Sequence, residues 1–322
     1  MQKKDKEKKV AIIIVNWNKK ELIDDCLNSL AKFTDYKNYE VIVSDNGSTD
    51  GAAELIKKKY KWVDLLENGK NLGFALANNV AFDYSIKKYD PDYFLLLNND
   101  TRIIKKDWLK KLVETAESDS KIGLVNGVLI FPDGRLQFFV IKGKTYYLDE
   151  NETIKINKDD EKELNKIQEV KIANAGCLLI KKEVIDKIGI FDKFVPYYGE
   201  EIDYCERVRK NGFKIMYDPR VVIIHIKGQT VNARKIIKDW YIMKKQSIKV
   251  ELLNYPLRKI LYWWFVHFSA VFLSKRGKEI SFNWNFPRRF LLLIKAYLDN
   301  LPHIPEYLHK RKHRDEKIWW VG

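Results

Sequence analysis

Val10-Ala-Ile-Ile-Ile-Val15 is an unbroken apolar, mostly β-branched run. Directly after its polar end, Asn16-Trp-Asn18, the pattern changes to helical spacing, with Leu22, Ile23, Cys26, Leu27 and Leu30 on one face. A strand without alternation is apolar toward both sides, which is how a parallel strand covered by helices on both faces reads. The change of period then repeats. Glu40–Ser44 reads as a strand, Asp45-Asn-Gly-Ser-Thr-Asp50 as a turn, and the chain to about Tyr60 as a helix. A strand follows near Trp62–Leu66, then a helix over Gly73–Lys88, a buried strand over Tyr93–Leu97 and a helix over Lys106–Ser118. Such a series predicts an α/β fold, a mostly parallel, Rossmann-like sheet with helices on both faces. Ligands of such sheets bind beyond the carboxyl ends of the strands. Here those ends carry Asn16-Trp-Asn18, Asp45-Asn46 and Asn98-Asn-Asp100.

Beyond the sheet, Thr145–Glu169 is charged and poor in large apolar residues and reads as a loop. Lys171–Ile180 returns as a strand, Glu200–Lys210 as a short helix, and Phe213–Tyr217 and Val221–Ile226 as strands. From Val231 the pattern is helical, broken at Pro256, Pro287, Pro302 and Pro305. We therefore expect a catalytic domain over 1–230, with a first part to about 120 and a second over 121–230, and a helical tail over 231–322. Charge divides at the same place. Residues 227–322 hold 20 Lys and Arg against 7 Asp and Glu, and they carry six of the nine tryptophans: Trp240, Trp263, Trp264, Trp284, Trp319 and Trp320. A basic, aromatic tail points to an anionic surface, lipid headgroups or nucleic acid. No nucleic-acid motif accompanies it, and its aromatics cluster with aliphatics in Leu261–Leu273 instead of alternating with Lys and Arg, so nucleic acid is not expected as a partner. The apolar stretch Ile260–Leu273 is 14 residues long, short of the about 17–25 that a spanning helix needs. Three widely spaced cysteines, Cys26, Cys177 and Cys205, and the absence of a signal-peptide pattern at the N-terminus predict a cytoplasmic protein, peripheral on the inner face of the cell membrane. A homo-oligomer is compatible with the sequence.

Each polar cluster has two readings. Asn98-Asn-Asp100 closes an apolar strand and reads either as a turn or as a carboxylate placed to hold a divalent cation on substrate phosphates. Asp45–Gly51 is turn chemistry in which Ser48 or Thr49 can cap the following helix. Glu67-Asn-Gly-Lys-Asn-Leu-Gly-Phe74 is a glycine-rich loop or a phosphate-facing helix start. Glu200, Glu201, Asp203 and Glu206 stand near a helix start that favours anions, and a buried carboxylate among them would serve as a general base. His225 ends the apolar strand Val221-Val-Ile-Ile224.

In order and spacing, six segments resemble the family 2 glycosyltransferases, particularly the rhamnosyltransferase-like branch. They are Ile13–Asn18, Ser44–Gly51, Asn71–Asn79, Leu96–Asp100, Gly199–Arg207 and His225–Thr230. The resemblance covers about residues 8–230 and implies a GT-A fold and an inverting transfer of a sugar from a UDP- or dTDP-sugar to a hydroxyl of a glycan or lipid-linked saccharide. It implies a base pocket of Val15, Asn16 and Trp17, with Asp45 accepting the N3–H of a pyrimidine. Asn18, Asn71, Asn79, Asn98 and Asn99 fall among the donor-binding residues it implies. Asp100 resembles the last acid of the family's DxD motif and His225 the second protein ligand of its Mn²⁺ or Mg²⁺. Glu201 matches the catalytic base, with Glu200 beside it and Asp203 as the alternative. Lys70 and Arg207 would either stabilise the leaving diphosphate or form surface ion pairs. Two positions depart from the pattern: Asn98 removes one acid of the DxD motif, and Glu201 stands where Asp is commoner. A nucleotidyltransferase would need a glycine-rich loop after the first strand, where Asn16-Trp-Asn-Lys-Lys20 has no glycine.

Overall fold

The computed structural model describes residues 7–147, 158–196, 198–226, 233–276, 279–282, 286–314 and 317–318. The first half alternates as the periodicity predicts: β1 (Val10–Asn16), α1 (Lys20–Lys32), β2 (Tyr39–Asp45), α2 (Ala52–Lys59), β3 (Val63–Glu67), α3 (Gly73–Tyr89), β4 (Tyr93–Leu97), β5 (Thr101–Ile103) and α4 (Trp108–Glu117). Then come β6 (Ile122–Ile130), β7 (Leu136–Ile141), β8 (Lys144–Tyr147), α5 (Lys158–Leu164), β9 (Gln168–Glu169), β10 (Cys177–Lys181), α6 (Lys182–Ile188), α7 (Glu200–Lys210) and β11 (Lys214–His225). The C-terminal region comprises α8 (Ala233–Asn254), α9 (Leu257–Phe272), β12 (Leu273–Arg276), β13 (Glu279–Phe282), α10 (Phe286–Asn300) and α11 (Ile304–Lys312).

The main sheet runs β3-β2-β1-β4-β10-β6-β11-β5, with β7, β8 and β9 off this path. The four strands from β3 to β4 are parallel, as the apolar runs predict. Beyond them the sheet is mixed, because β10 lies antiparallel to both β4 and β6 while β6 and β11 are parallel. Strand β1 has no exposed face: Val10 through Ile14 are all buried, with α3 packed against the strand. Register brings the polar ends together. Asn16 pairs with Asp45 and Asp45 with Glu67. His225 pairs with Thr101, one residue after Asp100.

Several expectations change. Thr145–Glu169 is not only loop: it carries the end of β8, helix α5 and strand β9, where Gln168 and Glu169 pair with β11. The expected strand Lys171–Ile180 is regular only from Cys177. The two expected strands around Asp218 are one strand, β11, with a bulge between Asp218 and Val222. In the tail the apolar stretch Ile260–Leu273 is almost all helix α9, and its last residue opens the hairpin β12–β13. No helix among the described residues is long and apolar enough to cross a membrane.

The tail packs into the body of the protein. Val195 and Ile202 share an apolar cluster with Ile248, Leu252, Leu253, Ile260, Ala296 and Tyr307. Beside it, Asp203 of α7 is 1% exposed and meets three partners: Arg207 at 3.1 Å, Asn254 of α8 at 2.8 Å, and Arg314. Arg314 also pairs with Asp192. Arg207 completes its fork on the carbonyls of Ile188 and Ile190, at 3.1 and 2.8 Å. A buried charge is tolerated only when paired and hydrogen-bonded, and here the pairing joins α7, α8 and the chain after α11.

Candidate active site

The carboxyl ends of β1, β2 and β4 are tied by one lattice of side chains. The Asn16 amide, fully buried at the end of β1, donates to Asp45 Oδ1 at 3.0 Å and to Ser48 Oγ at 3.2 Å. Its Oδ1 accepts from Asn99 at 2.8 Å. Asp45 Oδ2 accepts the Ser48 N–H at 2.8 Å, which closes the turn after β2. Asn18 accepts the Thr49 N–H at 2.9 Å while its own N–H donates to Ser48 Oγ at 2.8 Å. Asn46 and Asn68 extend the lattice to β3 and to the start of α3, where Asn71 Oδ1 accepts the Gly73 N–H at 2.8 Å. Gly47, at φ +72°, lets this turn lie on the next loop: a Cβ there would stand 2.9 Å from the Gly69 carbonyl carbon and the Lys70 nitrogen. Trp17 is exposed at the mouth of this edge, and Val15 is half-buried behind it.

One step along the sheet, β11 delivers His225 beside the end of β4. Gln137 of β7 donates its amide to the His225 carbonyl, which turns Gln137 Oε1 toward the ring, 2.9 Å from Nδ1. Nδ1 therefore carries a proton. Asn98 Nδ2 lies 3.3 Å from Nε2, and Asp100 Oδ1 lies 3.1 Å from it. The imidazole Nε2 and a carboxylate thus face each other, close enough to share a proton or a metal ion. As a donor set they fit a divalent ion that takes its remaining ligands from phosphate and water. No group of three or more His, Cys, Asp or Glu gathers for a metal among the described residues, so the chain itself offers a partial shell.

Opposite this pair, α7 begins with Glu200 and Glu201. A cleft of about 660 Å³ is lined by Asn98, Gln137 and His225 and by Asn174, Glu200 and Glu201. Glu201 Oε2 accepts the Ala175 N–H at 3.2 Å. Glu200 is 9% exposed and its Oε2 has no partner among the described residues. Burial, reinforced by the Glu201 charge, pushes the Glu200 carboxyl up to about 8.

The family model described as glycosyl transferase family 2 matches residues 11–189, more than half of the chain. The chain belongs to glycosyl transferase family 2. It is 25% identical over 240 residues to the O-antigen biosynthesis protein RfbC of Myxococcus xanthus, a match covering 71% of this chain and 18% of that longer protein. It is 24% identical over 242 residues to the N-acetylglucosaminyl-diphospho-decaprenol L-rhamnosyltransferase of Mycobacterium tuberculosis, covering 68% of this chain and 76% of that one. This chain thus spans less than a fifth of the first relative and about three quarters of the second. Among solved structures it resembles GalNAc-T7 with UDP, GalNAc and Mn²⁺, at a TM-score of 0.63 and 13% identity over 97% of this chain and 56% of that one, a likeness of GT-A fold alone.

Against the family 2 pattern, the structure gathers Val15, Asn16, Trp17, Asn18, Asp45, Asn71 and Asn99 at one sheet edge, and Asn98, Asp100, His225, Glu200 and Glu201 around the adjoining cleft. Three expectations fail. Asn79 is fully buried in α3, and its amide both donates to the Phe191 carbonyl and accepts the Phe191 N–H, at 2.9 and 3.1 Å, so it clamps a loop and has no access to a donor. Asp203 is engaged by two arginines and Asn254, which hold its carboxyl well below the usual range, and it is closed to an acceptor. Arg207 is fully buried in that same ion pair, so it neither reaches a diphosphate nor forms a surface pair. Lys70 stays exposed on the loop over Gly47. Ser48 caps no helix: α2 has Gly51 as its N-cap and no side-chain cap, and the Ser48 hydroxyl braces β1 instead. Gln137 was missed, although its signal is visible as the lone polar side chain in Leu136–Ile141.

The raised Glu200 gives a pH signature. Its folded value of about 8 lies above the ordinary glutamate value of 4.5. The stability it contributes is therefore full below pH 4.5 and lost as pH rises through about 8. Glu200→Gln cannot ionise, so its urea midpoint should gain on the wild type steadily between pH 5 and pH 8. A constant difference across that range would mean that Glu200 keeps an ordinary acidity in the fold.

Proposed function

We propose that this chain is a metal-dependent, inverting glycosyltransferase that moves a sugar from a UDP- or dTDP-sugar to a hydroxyl of a glycan or lipid-linked saccharide. The observation that carries this reading is one cleft lined by both His225, which Asp100 meets at 3.1 Å, and Glu201, with Asn98 on its lining next to Asn99 of the Asn16–Asp45 edge. The pyrimidine sits at that edge: Asp45 Oδ2 accepts one hydrogen bond, from the Ser48 N–H, and retains a lone pair for the ring N3–H, and Trp17 packs on the base. Asp100 and His225 would hold Mn²⁺ or Mg²⁺, with Asn98 turned toward His225 Nε2. The bound ion offsets the charge that builds on the leaving diphosphate. Glu201 takes the proton of the acceptor hydroxyl as its oxygen bonds to the anomeric carbon from the face opposite the breaking bond to the diphosphate, so configuration inverts. Its hydrogen bond from Ala175 fixes the carboxylate, and neutral Glu200 adds no second charge beside it. The Mn²⁺ and UDP of GalNAc-T7 and the decaprenol-linked saccharide in the name of the mycobacterial relative support the same reading.

Asp100→Ala should abolish metal-dependent turnover, and His225→Ala should raise the metal concentration giving half-maximal rate. Glu201→Gln should keep UDP affinity while slowing turnover 10²-fold or more, a size usual for a lost general base. Assays of nucleoside diphosphate release across a metal titration decide this. Unchanged turnover in Asp100→Ala or in Glu201→Gln would remove that residue from the mechanism.

We also propose that the tail docks on the inner face of the cell membrane without crossing it. Leu261, Tyr262 and Phe265 of α9 and Leu291 and Leu298 of α10 are exposed apolar side chains in a region with a large excess of Lys and Arg. Basic side chains near an anionic leaflet are each worth about 1 kcal/mol, and an interfacial helix adds burial of its apolar face. Because Arg314 and Asn254 hold the body together, the test uses the full chain. It should float with phosphatidylserine vesicles and be partly released by high salt, and Leu261→Glu with Phe265→Glu should not float. Equal flotation of that variant would sink this docking mode.

A further inference from the structure

A second pocket, of about 410 Å³, opens off the catalytic cleft and extends to α8 and α9. The two share a wall of Ile172, Tyr198, Gly199, Glu201, Ile202 and Met243, so Glu201 borders both. The rest of the second pocket includes Glu251, His267, Lys244, Ser247 and Trp263. Glu251 is 5% exposed. Its Oε1 lies 3.3 Å from His267 Nε2, and His267 Nδ1 lies 3.3 Å from the Tyr297 hydroxyl. Burial pushes His267 down to about 4 and Glu251 up to about 8. The imidazole is therefore neutral, and when Tyr297 donates to Nδ1, Nε2–H donates to Glu251 Oε1. Glu251 Oε2 is left without a partner among the described residues. Buried polar atoms in native proteins are nearly always satisfied, and here the unsatisfied one belongs to a side chain that lines a pocket. Trp263, on the same pocket, is 36% exposed and offers an indole face.

We infer that this pocket is the acceptor subsite, holding a pyranose residue of the acceptor by hydrogen bonds between its ring hydroxyls and Glu251 Oε2 and by contact of its ring with Trp263. The inference rests on the glycosyltransferase reading and names where its acceptor binds. The shared wall brings a hydroxyl of that pyranose to Glu201. A bare acyl chain is the poorer occupant, because it would leave Glu251, Lys244 and Ser247 buried without partners. Glu251 and Trp263 select and position the acceptor and take no part in the chemistry.

The test measures binding of methyl glycosides of glucose, galactose, mannose and N-acetylglucosamine to the full-length protein by saturation-transfer difference NMR, with UDP affinity in Mn²⁺ measured beside it by calorimetry. At least one glycoside should bind the wild type. Glu251→Leu and Trp263→Ala should each weaken it tenfold or more while UDP affinity stays within twofold, and Glu251→Gln, which keeps a hydrogen-bonding group, should recover most of the loss. Trp263 lies on an exposed helix face, so its variant keeps the test valid if Glu251→Leu does not fold. Glycoside binding unchanged in Trp263→Ala and in every folded Glu251 variant, or no glycoside binding at all, would overturn the subsite. Loss of UDP binding by the wild type would instead contradict the glycosyltransferase reading, which the glycoside measurement leaves untouched.

Discussion

The end of β1 sets the constraint on which the site depends. A strand apolar on both faces has to finish in something that meets a polar crevice, and its last residue, Asn16, is fully buried there. A buried amide left unsatisfied would cost about 1–3 kcal/mol. Asn16 avoids this by donating to Asp45 and Ser48 and accepting from Asn99, which fixes the ends of β1, β2 and β4 to one another. Asn46, accepting from Asn68 and Leu72, holds the turn after β2 against the loop 67–72, at a distance only glycine at position 47 allows. The polar edge is therefore organised before any ligand arrives, the condition under which fixed hydrogen-bonding groups serve binding and transition-state stabilisation best.

On the facing side the logic is electrostatic. Helix α7 presents four acids in its first two turns, and their surroundings give them different tasks. Asp203 is neutralised by Arg207 and Arg314 and becomes a structural joint. Glu200 is buried beside another carboxylate and holds its proton. Glu201 lines both pockets and is the proton acceptor in the proposed reaction. Because Arg314 and Asn254 come from the tail, the C-terminal region is part of what keeps α7 in place as well as a surface of its own.

Much of this was legible in the sequence. Unbroken apolar runs gave β1, β2 and β4, and the change of period gave the helices between them. The clusters at Asn16, Asp45 and Asn98 fall at neighbouring strand ends because parallel strands place their carboxyl ends on one edge. What could not be read is what only tertiary contact decides. Asp203 and Glu201 are two residues apart on one helix, and nothing local says that one meets two arginines and the other a cleft. Asn79 looks like one more polar residue of a donor-binding segment until the Phe191 backbone is seen to occupy it. Gln137 acts on His225 from 88 residues away, beyond the reach of any spacing rule. The segment 158–169 acquires structure because β11 offers β9 an edge to pair with, which composition does not show.

In the proposed reaction the Asn16–Asp45 edge and the Asp100–His225 pair together hold a pyrimidine diphosphate donor through a divalent ion. A screen of UDP-, dTDP-, GDP- and CMP-linked sugars, scored by release of the nucleotide with Mn²⁺, with Mg²⁺ and with EDTA, tests it most directly. UDP or dTDP alone should be released, and only with a divalent ion present. Release from GDP- or CMP-sugars instead, or equal release in EDTA, would contradict it.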